Sequence, residues 1–159
     1  MKYATLVIIP ERENVVMGEK KTGEIGQNLI NAPGGKMEAG ETPLRCAVRE
    51  TKEELGIRLI RGLMEEMAVI TFYTADVPDF LVYVYRALGF AGKPTETDAM
   101  IPRLFRWNEL PFDRMHDGDR HWFAKALHGH RFNANVYYRE RAKGFERIEF
   151  LPFTPFPKN

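Results

Sequence analysis

Serine is missing from all 159 residues, which removes the G-x-S-x-G elbow and with it covalent catalysis by a serine nucleophile. Cysteine is almost as scarce. Cys46 stands alone, so no internal disulfide forms, and one sulfur assembles neither a thiolate zinc site nor a redox pair; a reducing, cytoplasmic setting is the expectation. No apolar run approaches the roughly 18 residues of a membrane span. The apolar start at 2–10 is short and gives way at once to Glu11, Arg12 and Glu13, so neither a secretory leader nor a membrane partner is expected. An excess of charge is lacking too: the formal net charge of +1 leaves no footprint for a stable nucleic-acid complex, and any anionic substrate has to be handled locally. Repeats, low-complexity blocks and linkers are absent, which argues for a single domain spanning 1–159.

What is present is a series of β-rich runs, at 3–9, 14–19, 66–74, 80–88, 103–107, 134–139 and 145–151, each rich in Val, Ile, Thr, Tyr or Phe. Two helical stretches lie between them. The first, 43–55, has Thr42 to cap it, Pro43 at its first position and Gly56 as a left-handed stop. The second, 119–128, follows the Asp117-Gly118-Asp119 turn, carries Trp122, Phe123, Ala126 and Leu127 at helical spacing, and ends at Gly129. Strands alternating with helices predict an α/β (α+β) layered domain. The Pro- and Phe-rich segment 152–159 cannot be helical throughout; docking through Phe153 and Phe156 and simple fraying are equally open.

The first helix carries the chemistry. At about 100° per residue, with Glu50 at zero, Glu53 falls near 300° and Glu54 near 40°, so three carboxylates share one stripe, while Leu44, Ala47, Val48, Thr51 and Leu55 occupy about 60° to 160°. Like charges at this spacing repel by a few tenths of a kcal/mol per pair. Either the face is solvated, with Arg49 and Lys52 as counterions, or a divalent cation neutralises it, and carboxylate oxygens are the donors Mg²⁺ prefers.

Gly35, Glu41, Arg49, Glu50, Glu53, Glu54 and Gly56 stand at the fixed spacings of the Nudix box, with Ile57 in its last aliphatic place; the segment resembles that family. Seven required residues in register make a chance match rare. Thr51 departs from the pattern but falls on the buried stripe, where its hydroxyl is expected to bond back to a helix carbonyl. The resemblance implies a mixed β-sheet sandwiched between helices, Mg²⁺ (or Mn²⁺) held by Glu50, Glu53, Glu54 and the Gly34 carbonyl, Arg49 orienting the carboxylates, and Gly35, Lys36 and Lys20 facing the phosphates.

The similarity extends from about Lys2 to Arg139 and is closest to MutT-type enzymes that hydrolyse oxidised purine nucleoside triphosphates. It rests on Tyr3-Ala4-Thr5-Leu6-Val7, Gly18-Glu19-Lys20-Lys21, Asn31-Ala32-Pro33-Gly34-Gly35-Lys36, Glu96 to Pro102 and Leu110 to Met115. It implies a small-molecule nucleotide substrate, hydrolysis to monophosphate and pyrophosphate, and Thr5, Asn31, His116 and Asp119 as base or sugar contacts; oligomeric state stays open. The bland readings are a strand residue for Thr5, a turn former for Asn31 and a helix cap for Asp119, and core packing is the default for Phe72 and Met100, with the lining of a base pocket as the alternative. Three departures stand out. His116 replaces a base-stacking Trp, Gly118-Asp119 replaces a pair of aspartates with Asp117 as the nearest substitute, and Ala99 replaces a loop Glu for which Glu96 or Asp98 are the stand-ins. Other diphosphate substrates, ADP-ribose or capped RNA among them, and a nucleotide sensor without turnover are the alternatives. His121, His128 and His130 lack zinc spacing.

Overall fold

A computed structural model describes residues 1–23 and 25–158. In chain order the strands and helices are β1 (Lys2–Glu11), β2 (Asn14–Lys20), β3 (Ile30–Asn31), β4 (Gly34–Lys36), α1 (Pro43–Leu55), β5 (Arg58–Leu59), β6 (Met64–Thr74), β7 (Val77–Ala87), β8 (Phe90–Ala91), β9 (Met100–Arg106), α2 (Phe123–Leu127), β10 (Phe132–Glu140) and β11 (Lys143–Leu151). Among the described residues nine strands form one mixed sheet ordered β11-β10-β6-β7-β1-β2-β3, with β4 also pairing β1 and β9 pairing β2; β5 and β8 form a separate ribbon. The β1–β7 and β6–β10 pairings are parallel, the others antiparallel.

Period-two alternation along β1 divides the core. Ala4 and Ile8 face Trp122, Phe123, Ala126 and Leu127 on one side of the sheet, while Val7 and Ile9 pack with Ala47 and Leu55 of α1 on the other. The sheet is therefore covered by a helix on each face, as expected, and the aromatic face of α2 is core. The first helix has its anticipated limits: Thr42 Oγ1 accepts from the Arg45 N–H and Gly56 closes it at φ 72°.

Three expectations change. Residues 119–128 are not one helix, because a 3₁₀ turn at Asp119–His121 is followed by a break at Trp122 (φ −138°) before α2 begins. Asp119 consequently caps nothing; Gly118 takes the cap position without a side-chain hydrogen bond. Thr51 is fully buried, and its hydroxyl has no hydrogen-bond partner among the described residues, so only its methyl role is realised. Between fraying and docking, the tail takes docking. Phe156 is 3% exposed, with its ring 5.1 Å from Tyr83 and 4.9 Å from Tyr85, and its N–H donates to Glu66 Oε1 at 2.9 Å. Asn159 lies outside the described residues.

Candidate active site

The two glycines of the Gly34-Gly35 pair are there for closeness rather than for an unusual φ. A Cβ on Gly34 would lie 2.0 Å from the Thr5 carbonyl oxygen, and one on Gly35 would lie 2.4 Å from the Glu50 carboxyl carbon. Strand β4 thus presses against both β1 and α1. In this position the Gly34 N–H donates to Glu54 Oε1 at 2.7 Å, which ties a carboxylate of the helix directly to the strand.

Burial decides the electrostatics of these carboxylates. Glu54 is 7% exposed, and loss of hydration pushes its pKa up to about 7, against the Gly34 N–H and the Lys20 charge, which pull it down. Glu50 is also raised, first by desolvation. Glu53 stays exposed. The wheel's separation into an oily and an acidic face is therefore incomplete, since Glu54 and Cys46 both lie on the buried arc.

Arg49 organises the exposed side of the cluster. Its Nε and Nη2 donate to the two oxygens of Glu41 at 2.7 and 2.8 Å, Nη1 donates to Glu50 at 2.8 Å and to Glu53 at 3.3 Å, and Nη2 reaches the Lys36 carbonyl at 3.1 Å. The paired guanidinium brings the Glu41 pKa down to about 2. With Glu50 and Glu53 turned to Arg49, no three His, Cys, Asp or Glu side chains among the described residues converge on one metal-sized point. The donor set nevertheless suits a hard divalent ion: carboxylate oxygens only, two of them poorly hydrated.

A cavity of about 500 Å³ opens beside this cluster and is bordered by Glu50, Glu54, Gly34, Gly35, Lys36 and Lys20. The same cavity is bordered by Asn31, His116 and Asp119 and by the rings of Phe72, Phe80 and Tyr138. Lys20 links the two groups, since its charge depresses both the Glu54 and the His116 pKa; its Nζ donates to the Ile25 carbonyl at 2.7 Å. His116 is lowered chiefly by burial. Asp119 is 4% exposed, and desolvation pushes it up to about 7, opposed by the His116 backbone and the nearby Trp122 indole. Asn31 Oδ1 accepts from the Ala32 N–H at 3.0 Å, which leaves its amide hydrogens to donate.

Most of the residues singled out from the sequence thus come together. Arg49 and Glu53 stand beside the cavity rather than in its lining. Thr5 borders it, but its hydroxyl meets the Cys46 thiol at 3.3 Å, because alternation places this side chain with Val7 and Ile9 on the α1 face; a base contact through the hydroxyl does not fit that geometry. Asp117 is exposed and outside the lining, so it does not replace the missing carboxyl. Glu96 is drawn into an ion pair with Lys21 at 2.8 Å, and neither it nor Asp98 borders the cavity. His121 stacks on Phe145 and His128 sits edge-on to Trp107. Phe72 and Met100, core by default, border the cavity as well. Tyr138, Phe80, Asp79 and Arg141 were not anticipated, since they sit on strands and a turn whose sequence shows only β-propensity. Arg141 grips Asp79 through two bonds of 2.8 and 2.7 Å, joining the β10–β11 turn to the start of β7 beside the cavity.

Fold and site together define an α+β protein whose acidic helix, backed by a glycine strand, opens on a nucleotide-sized cavity. A crystal structure of a MutT protein from Bacillus halodurans superposes with a TM-score of 0.79 over 94% of this chain and 97% of that one, at 22% identity, which shows the shared fold. The model of the NUDIX domain matches residues 2–126, and the chain belongs to the Nudix hydrolase family. Proteins named oxidized purine nucleoside triphosphate hydrolase are 33% identical in Danio rerio, over 82% of this chain and 83% of that protein, and 30% identical in Mus musculus, over 86% of each. No helix among the described residues is long and apolar enough to cross a membrane.

Proposed function

We propose that the chain hydrolyses a nucleoside triphosphate to the monophosphate and pyrophosphate, favours oxidised purine deoxynucleotides such as 8-oxo-dGTP, and requires magnesium, for which manganese can substitute. One observation carries this reading. The carboxylates of Glu50 and Glu54 border the same cavity as Phe72, Tyr138, His116 and Asp119, so hard-oxygen donors and an aromatic slot with a polar floor share one space. The names of the Danio rerio and Mus musculus relatives support it.

In this reading Glu50, Glu53, Glu54 and the Gly34 carbonyl hold the cation, which when bound neutralises phosphate charge and lowers the pKa of an attacking water. Arg49 holds Glu50 and Glu53 in place and offsets their mutual repulsion. The Gly34 N–H fixes Glu54 against the strand. Lys20 and Lys36 meet phosphate oxygens, with Gly35 allowing close approach. Asp119, Asn31 and His116 meet the base and sugar, and 1–159 acts as one domain because β10 and the turn after it complete the cavity wall.

The test is pyrophosphate release from 8-oxo-dGTP, 2-hydroxy-dATP, the normal dNTPs and ADP-ribose, with magnesium and with chelator. Glu53→Gln and Glu54→Gln should each keep the native circular dichroism and lower the magnesium-dependent rate at least tenfold, about 1.4 kcal/mol of barrier. An unchanged rate in both overturns the metal assignment. The segment 93–99 brings no carboxylate to the cavity lining, and this favours a nucleotide sensor as the second reading; binding without product would select it.

A further inference from the structure

Gly118 stands where a side chain has no room. A Cβ there would meet Tyr138 Oη at 2.7 Å and the Phe145 ring at 3.1 Å. The space beside the 118 backbone is filled instead by a phenol from β10, and the Gly118 N–H donates to its oxygen at 2.9 Å in a buried bond. Tyr138 is 2% exposed and borders the cavity together with Asp119. The ring is fixed by Phe72, stacked at 6.4 Å and 23°, and by Phe145, edge-on at 6.1 Å.

A phenol that accepts from a backbone N–H keeps its own hydrogen to give. Among the described residues no acceptor takes it. Burial raises the Tyr138 pKa, as does the Asp119 charge, so the hydroxyl keeps its proton throughout the neutral range. A buried hydroxyl with an unused donor is costly unless something meets it, and the space that Tyr138 borders is the cavity.

From this pairing we infer that Tyr138 is a specificity-determining residue whose hydroxyl, aimed by the Gly118 N–H, donates a hydrogen bond to a ring-nitrogen or carbonyl acceptor on the edge of a bound purine. The inference rests on the reading of the cavity as a nucleotide site. Asp119 and the Asn31 amide supply the neighbouring polar contacts, so the base is read by one carboxyl, one amide and one phenol. A site of this kind rejects an analogue lacking the matching acceptor more strongly than an apolar pocket rejects a change of size.

The test is calorimetric binding of four monophosphates without metal: dGMP, 8-oxo-dGMP, 7-deaza-dGMP, which lacks the N7 acceptor, and the 2-aminopurine deoxynucleotide, which lacks the carbonyl. Wild type is compared with Tyr138→Phe, which keeps the ring and its stacking, and with Gly118→Ala, which displaces the hydroxyl from the opposite side. The expected result is that the affinity ratio between at least two of the four ligands changes fivefold or more in whichever variants fold. A smaller change in every ratio overturns the inference, even if all affinities fall together, as a purely structural role would make them. So does the absence of binding to wild type. If both variants misfold, wild type alone decides: deleting an acceptor must weaken binding at least tenfold, and equal affinity for all four ligands overturns the inference. Magnesium-dependent turnover is measured apart, so a chain that selects bases through Tyr138 yet cleaves none keeps this inference and loses the catalytic reading.

Discussion

Asp119 retains a proton that the unfolded chain would release near pH 3.8, because burial lifts its folded pKa to about 7. Between these two values the native state binds more protons than the unfolded state, so stability falls as pH rises, from its full value below about pH 4 to a lower plateau above about pH 7. Glu54, also held near 7 by burial, acts in the same direction. Metal-free Asp119→Asn should therefore lose part of the decline in melting temperature between pH 5 and pH 8, and the same slope in wild type and variant would show that the carboxyl ionises normally. Single residues also mark where sequence reasoning reached and where it stopped. The carboxylates of α1 were legible because their spacing is dictated by the helix repeat and survives in the linear order. Tyr138 was not, since its partner Gly118 is remote in sequence and a tyrosine in a β-run says nothing about what its hydroxyl meets. For Thr5 the sequence conveyed the place but not the direction: it borders the cavity, while its hydroxyl meets Cys46.

Among the elements, α1 was predictable to its ends because capping, proline and glycine signals are local. The stretch 119–128 was not, since a run of aromatic residues at helical spacing does not reveal the break at Trp122. The two-residue strands β3, β5 and β8 and the three-residue β4 are set by partners elsewhere in the chain rather than by their own composition. The tail is the element whose docking lends itself best to measurement. Phe156 fills a gap between Tyr83 and Tyr85 on the α1 face, and truncating a buried aromatic costs about 3 kcal/mol or more. Phe156→Ala should lower the melting temperature by several degrees while leaving the rate at low temperature close to wild type, because the cavity wall contains none of the tail. A variant as stable as wild type would mean that Phe156 adds nothing in solution.

At the scale of the whole molecule, a cation held by the folded state and not by the unfolded chain raises stability by mass action, about 2.7 kcal/mol at a hundredfold excess over Kd. Magnesium should thus raise the melting temperature of wild type and do so much less for Glu54→Gln; equal shifts in both would place the ion elsewhere. The family match ends at residue 126, whereas the sheet does not: β10 pairs in parallel with β6 and carries the Tyr138 wall, and the turn after it carries Arg141. The layered fold could be read from alternating strands and helices, but not this insertion, which depends on a pairing between distant segments. It also has a consequence for synthesis. The ribosome releases the acidic helix and its glycine strand well before β10, so a nascent chain displays the carboxylates while one side of its pocket is still untranslated. A ribosome stalled before β10 would leave a product that holds the carboxylates together with Asn31, His116 and Asp119 but lacks the Tyr138 side of the cavity.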